Sequence, residues 1–467
     1  MPHSKVSVLE NLELRAGDDV SSPGPSMRGR GTLHVKRFCF VAILALATPG
    51  FAQDTMFRGN AEHTGVYAAA GVPKFTSIKW QFHTRGQILS SPAIAGDKLF
   101  FGSSDHCLYA LDLATGAQKW KFKSEGRITS SPAVSASVVY FGSYDGNFYA
   151  VDSETGQLKW KFATAGERRF AAKHLHGAEP ASETMPDPFD FYLSSPVVWN
   201  GGVYFGSGDT NVYALEAATG SLKWKFKTGD VVHASPAISG GTVFVGSWDS
   251  YFYALDANSG KEVWRFKTGE DPVIHNQVGI QSSAAVADGV VYFGCRDSKF
   301  YALDAATGEE RWSYSNKGSW VISSPAVLKG KVYFATADTG LLHVFDAKAG
   351  SPLYSLDFNH WVMFSSPAIA GETLYIGSHQ GKLNAIDLKT QKVAWSFETE
   401  GFKKNGSTYT KPDGTPNYEA AFFDFFYDDM ITGVQKLMSV GAVLSSPAVA
   451  GNAVYVGSTD GNVYALN

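Results

Sequence analysis

The chain has 467 residues, 14% of them aromatic and 48 of them glycine, with a formal net charge of −4. A slightly acidic chain lacks the basic face that neutralises phosphates, which excludes a nucleic-acid binder. The length would allow two or three domains unless an internal repeat absorbs it, since one ring or array can run through a whole chain.

Arg28, Arg30, Lys36 and Arg37 precede an apolar run from Phe38 to Ala47, and Gly50 and Ala52 place small residues for cleavage before Gln53. This is the layout of a secretory signal. Residues 1–52 are therefore assigned to a leader and signal peptide, 53–77 to a lead-in, and the mature protein to the periplasm or the exterior. The apolar run is too short to remain across a bilayer, so no transmembrane segment is expected in the mature chain. Residues 1–26 are long and polar for a leader, which leaves both Met1 and Met27 open as the start. No cysteine follows the apolar run, so a bacterial lipid anchor is not supported. Cys39 would leave with the signal, and Cys107 and Cys295 read as free thiols unless the fold brings their backbones together.

From residue 78 onward the chain repeats. The frame Ala110-Leu-Asp112-Leu-Ala-Thr115-Gly116-Ala-Gln-Lys-Trp120 returns at Ala150 to Trp160, Ala214 to Trp224, Ala254 to Trp264 and Ala302 to Trp312. Weaker copies run from Val344 to Tyr354 and from Ala385 to Trp395. Ahead of each stand short runs of β-formers separated by Gly, Asp and Ser turns, the first opening on a Ser-Ser-Pro element. That element starts at Ser90, Ser130, Ser194, Ala234, Ser282, Ser323, Ser365 and Ser445, with Ala284 replacing the proline of the fifth copy. Four strands in about 40 residues is one propeller blade, and eight copies predict an all-β, eight-bladed β-propeller of four-stranded antiparallel blades over residues 78–467. The eighth copy ends at Asn467 before its outer strand, while an unassigned Ile78-Lys-Trp80-Gln-Phe82 precedes the first. Pairing 78–82 beside 462–466 would close the ring and remove its open sheet edges. A closed ring of this kind is expected to be a monomer.

Two stretches break the period. One, at about 163–192, holds Arg168, Arg169, His174, His176 and Pro186-Asp-Pro-Phe189-Asp-Phe191. The other, at about 398–441, holds Tyr418-Glu-Ala-Ala-Phe-Phe-Asp424-Phe-Phe-Tyr-Asp428-Asp429. Both connect an outermost strand to the next innermost one, so both should reach one mouth of the central channel and form a shared cap.

The frame A-x-D-x-x-T-G-x-x-x-W closely resembles the tryptophan-docking motif of the pyrroloquinoline-quinone (PQQ) repeat superfamily. That superfamily includes quinoprotein alcohol dehydrogenases and the assembly propeller lipoprotein of the outer membrane. The resemblance covers Trp80 to Asn467 and implies the fold; for function it implies either an enzyme or a scaffold. Physically the motif is structural: Asp112 can accept turn amides, Gly116 supplies a permissive backbone, and Trp120 fills the space between blades. Trp80, Trp120, Trp160, Trp224, Trp264, Trp312 and Trp395 are assigned to this docking. The hairpin aspartates Asp105, Asp145, Asp209, Asp249, Asp297, Asp338 and Asp460 recur in the same way and read as turn residues.

What breaks the repeat is then the candidate for function. Just ahead of the inner strands lie Arg127, Tyr192, His233, His275, Asn276, Gln277, Gln281, Trp320, His360 and Trp361, several where sister copies carry Ile, Leu or Val. With Arg168, Arg169 and Asp424 they would line one pocket of aromatic faces and polar edges, suited to a planar ligand, a sugar or a partner protein. Packing is the first reading of Trp320 and Trp361. Arg168 and Arg169 would clamp a carboxylate or stand exposed. No metal site is assigned, because His174 and His176 lack a third ligand and the acidic run lacks a calcium-loop pattern.

Three functions follow. The resemblance to quinoprotein dehydrogenases implies PQQ with calcium and an alcohol or sugar substrate. The chain lacks the vicinal cysteine pair of many such enzymes, has no Cys-x-x-Cys-His haem site, and leaves little room for the usual long insertions. The resemblance to the assembly propeller implies a scaffold with an outer-membrane or periplasmic protein as partner. The reading adopted is an exported propeller acting by binding or as a scaffold, with no catalytic residue assigned; a PQQ-dependent oxidoreductase is the alternative.

Overall fold

The computed structural model describes residues 55–167, 189–269, 279–423 and 427–467. The signal segment, Arg168, Arg169, His174, His176, His275, Asn276, Gln277 and Asp424 lie outside them. The described chain forms the expected ring of eight four-stranded blades. In blade 1 the inner strand Ala93–Ala95 is followed by Lys98–Gly102, Cys107–Asp112 and the outer Gln118–Lys123, each antiparallel to the last. The middle strands are buried almost throughout because neighbouring blades cover both faces. The outer strand alternates, with Trp120 buried between exposed lysines. Cys107 and Cys295 are free and buried.

Ring closure follows the sequence expectation. The strand Ile78–His83 pairs antiparallel with Asn462–Leu466, from Ile78 opposite Leu466 to His83 opposite Asn462.

Each blade is tied to the next through the repeated frame. The Trp80 Nε1–H donates to the Leu113 carbonyl at 3.1 Å, Trp120 to Ser153 at 3.0 Å and Trp224 to Ala257 at 2.9 Å. Gly116, at φ 73°, lies against the Trp80 ring, where an added Cβ would come within 2.6 Å. Blade 6 departs from the pattern. It carries Tyr354 instead of tryptophan, and the following turn has Gln391 at φ 59° where the glycine would stand. The hairpin aspartates tie blades as well. Asp105 accepts the Tyr109 hydroxyl at 2.7 Å and the Arg85 amide, from the preceding blade, at 3.2 Å.

The second serine of every Ser-Ser element joins a closed circle around the axis. The Ser91 N–H donates to Ser131 Oγ, and the chain continues through Ser195, Ser235, Ser283, Ser324, Ser366 and Ser446 back to Ser91, with distances of 2.8–3.2 Å. Repetition here places one hydroxyl from each blade on the channel wall.

The lead-in runs inside the ring. Thr55 exchanges backbone bonds with Val134, and the carbonyls of Ala61, Glu62, Thr64 and Gly65 accept from Ile238, Val286, Val327 and Ile369 in successive inner strands. Val66–Tyr67 then adds a parallel fifth strand to the sheet of blade 7. The inner strands of blades 2, 4, 5, 6 and 7 each give a backbone N–H to this segment.

Candidate functional site at the capped mouth

The two insertions meet. Phe189, Phe191 and Tyr192 from the first and Phe422, Val434 and Met438 from the second pack with Trp320, Phe364 and Leu444 in one apolar cluster. The second insertion is helical, with α1 (Glu400–Tyr409), α2 (Tyr418–Ala421) and α3 (Tyr427–Met438). These helices are additions to the all-β ring, and the reason for them is local. Thr399 caps α1 by accepting the Phe402 N–H at 3.2 Å, and α3 buries Val434, Leu437 and Met438 on one face.

His233 holds the first insertion at both ends. Its Nδ1 is 2.5 Å from Asp190 Oδ2, where the insertion returns to blade 3, and its Nε2 is 3.0 Å from Glu167 Oε2, near where it leaves blade 2. Burial by itself disfavours the charged imidazole, but the two carboxylates outweigh it and push His233 up to about 10. The group is an imidazolium between two anions, a clamp and not a free base. Among the described residues, Asp190 Oδ1 is buried without a partner.

Gln281 is a second polar centre. Its Oε1 accepts from Arg296 Nη2 at 2.6 Å and Nε at 3.1 Å, and its Nε2 donates to the Phe189 carbonyl at 3.1 Å. The fully buried Arg296 guanidinium lies 4.2 Å from the Trp248 ring centroid and 4.6 Å from that of Trp320. The cation is thereby accommodated against two aromatic faces.

Tyr192 is half-buried, donates its hydroxyl to the Leu444 carbonyl at 2.9 Å, and is pushed well above the usual phenol range by desolvation. Arg127 is exposed and stacks 4.5 Å over Tyr144. Trp361 is buried and donates to the Gly414 carbonyl of the second insertion at 2.9 Å, while His360 beside it is exposed. Of the residues expected from sequence, Tyr192, His233 and Gln281 line one cavity on the axis, together with the serine circle, Ile322, Phe364 and Leu444. Trp320 stands beside Gln281's arginine, and Arg127, His360 and Trp361 lie apart from that cavity. Glu167, Asp190, Trp248, Arg296 and His379 were not singled out. Four hairpin residues, Tyr144, Trp248, Arg296 and His379, occupy the same place in four blades and differ from one another there. The repeat-breaking rule, applied to hairpins as well as to inner strands, would have found them.

Residues 76–185 and 181–397 match the profile of the outer membrane protein assembly factor BamB family. The chain belongs to that family. Among solved structures it is similar to BamB from Moraxella catarrhalis, at 17% identity and a TM-score of 0.59 over 84% of this chain and 97% of that one. It is also similar to a europium-containing methanol dehydrogenase, at 14% identity and 0.61 over 88% and 98%. A third is the quinohemoprotein alcohol dehydrogenase from Comamonas testosteroni, at 14% identity and 0.63 over 88% and 80%. At such identities the structural likenesses establish the shared propeller and nothing further. Comparison with curated protein sequences gives no match.

Dehydrogenases among these relatives raise the question of PQQ. The axial cavity beneath the cap has a volume of about 40 Å³, whereas ligand pockets run to about 300–1,000 Å³. Among the described residues no group of three His, Cys, Asp or Glu side chains is placed to hold a metal. The described mouth does not fit a tricyclic cofactor with calcium.

Proposed function

We propose that this BamB-family propeller acts after export by binding, as a scaffold whose partner face is the capped mouth, and not as a dehydrogenase. The observation that supports this most is how the mouth is filled. The cap's own aromatic residues and the His233 clamp occupy the space above the axis, while Phe423, between α2 and α3, is 94% exposed. An exposed phenylalanine on a feature that departs from the repeat suits contact with another protein. Among the described residues no helix is long and apolar enough to cross a membrane.

A photo-crosslinking residue placed at position 423, compared with one at the exposed outer-strand residue Leu158, tests the reading in exporting cells. Capture of a defined envelope protein from 423 but not from 158 is the expected result. Titration of the mature protein with PQQ and calcium tests the enzyme. Saturable binding at tens of micromolar together with dye-coupled alcohol oxidation would overturn the proposal, since cofactor sites bind in the micromolar range or tighter.

A further inference from the structure

Blade 6 carries no docking tryptophan, and a cavity stands where its indole would reach the next blade. In the seven other blades the docking indole packs against an aromatic ring of the second strand, with centroids 5.7–6.0 Å apart, as Trp120 does with Phe100 and Trp312 with Tyr292. Six of these indoles also donate to a turn carbonyl of the following blade, at 2.9–3.1 Å. The Tyr204 and Tyr292 hydroxyls add a second bond to that carbonyl, each at 3.1 Å.

Between blades 6 and 7 the aromatic wall and the acceptor are present without the donor. Tyr333 holds the second-strand position and Leu388 the turn position. Among the described residues the Leu388 carbonyl receives neither an indole nor a phenol, although its N–H is satisfied by the Glu372 carbonyl at 2.9 Å. Tyr354, which replaces the tryptophan, is half-buried beside Leu328 and Leu388. It leaves open a cavity of about 260 Å³ walled by Tyr333, Leu328 and Leu388. The rim is basic: Lys329 and Lys389 are exposed, Lys331 is half-buried, and Glu372 is the single acid of the lining. Among the described residues none of the three lysines forms an ion pair.

We propose that this cavity is a docking slot for a tryptophan side chain of a partner polypeptide, carried in an acidic segment. An indole brings a flat apolar body for Tyr333 and Leu328 and one N–H for the Leu388 carbonyl, the same two contacts that the protein makes for itself elsewhere in the ring. The volume lies just below the roughly 300–1,000 Å³ of pockets for drug-sized ligands, which suits one ring system. Three ammonium groups against one carboxylate select acidic neighbours for that ring. A second copy of this chain does not fit, because its docking tryptophans are flanked by lysines, as in Lys119-Trp120-Lys121, and are already engaged. The slot is bounded by the turns that follow two inner strands, whereas the cap is built on the connections that lead into them. It therefore lies on the face opposite the cap, and the proposal stands whether or not the capped mouth binds a partner.

The test uses the mature full-length protein and a fluorescein-labelled peptide, Gly-Ser-Asp-Trp-Glu-Ser-Gly, followed by anisotropy at low salt. Saturable binding with a Kd below about 1 mM is expected, and binding at least about tenfold weaker when alanine replaces the tryptophan or lysine replaces both acids. Tyr354→Trp combined with Gln391→Gly supplies the slot with the protein's own indole and should weaken the peptide at least about tenfold. Lys329→Glu combined with Lys389→Glu should do the same from two exposed positions, so the result does not hang on how the first variant folds. No saturable binding up to about 5 mM, equal affinity for the alanine peptide, or unchanged binding by either double variant would each overturn the proposal. So would N-acetyltryptophanamide competing as tightly as the peptide, since the slot would then read a free aromatic molecule and not an acidic segment.

Discussion

Trp395 and Val72 stand 323 positions apart in the chain, and the indole N–H of the first donates to the carbonyl of the second at 2.8 Å. In blades 1 to 5 and in blade 8 the docking indole bonds to the turn of the following blade. For Trp395 of blade 7 the lead-in supplies the acceptor instead of the following blade. The Val72 N–H in turn donates to the Tyr375 hydroxyl of blade 7. Gly71, at φ 78°, brings the chain so close that a Cβ would lie 2.7 Å from the Ala370 carbonyl oxygen.

Gly71→Ala is therefore expected to destabilise the protein by about 1–3 kcal/mol through backbone strain and this contact. Urea unfolding at constant m-value measures it. A variant beginning at Ser77 keeps the closing strand but loses Val72, and its Trp395 emission should shift to the red; an unchanged spectrum would show that the lead-in does not seal this blade.

The glycine and tryptophan of neighbouring blades should behave as a coupled pair. Tyr354→Trp alone is expected to destabilise, because Gln391 occupies the place where other blades have glycine. Adding Gln391→Gly should recover the loss, with an interaction energy of about 1–3 kcal/mol in a double-mutant cycle. Strict additivity would show that the two positions do not meet.

The His233 clamp predicts a loss of stability at alkaline pH. Its folded value, pushed up to about 10, exceeds the unfolded value of about 6.5. The contribution is full below about pH 6.5 and disappears as pH rises through about 10. His233→Gln should flatten that limb and cost about 3–5 kcal/mol at neutral pH, since two buried carboxylates lose their partner. Unfolding free energies from pH 6 to 10 in both proteins check the slope.

Acid should act through different histidines. His63 and His379 are each lowered to about 3, in both cases chiefly by burial, so the folded state excludes protons that the unfolded chain binds. Stability from this source is complete above about pH 6.5 and falls toward pH 3, by up to about 1.4 kcal/mol per unit for each histidine. His379→Phe, in a site walled by Phe191 and Phe364, should remove one such increment. A variant with the wild-type acid slope would contradict the burial of a neutral imidazole there.

The ring was legible in the sequence because its physics is local and repeated. Alternating β-formers, a Thr-Gly turn and a tryptophan recur blade after blade, and the stray strand at Trp80 told how the circle closes. The same repetition marked Asp105 and its equivalents as turn residues, and Asp105 indeed accepts the Tyr109 hydroxyl and a neighbouring amide. Tyr192, His233 and Gln281 were found as departures from that pattern. What they do was decided by tertiary structure. Asp190, Glu167 and His233 are far apart in sequence and become one ionic group only when an insertion folds back over the mouth. Arg58 and His63 sit in a lead-in with no periodicity, so nothing in the sequence shows that eight inner strands will bury them. The serine circle needs both levels: each blade contributes one ordinary serine, and only closure of the ring makes eight hydroxyls face a single axis.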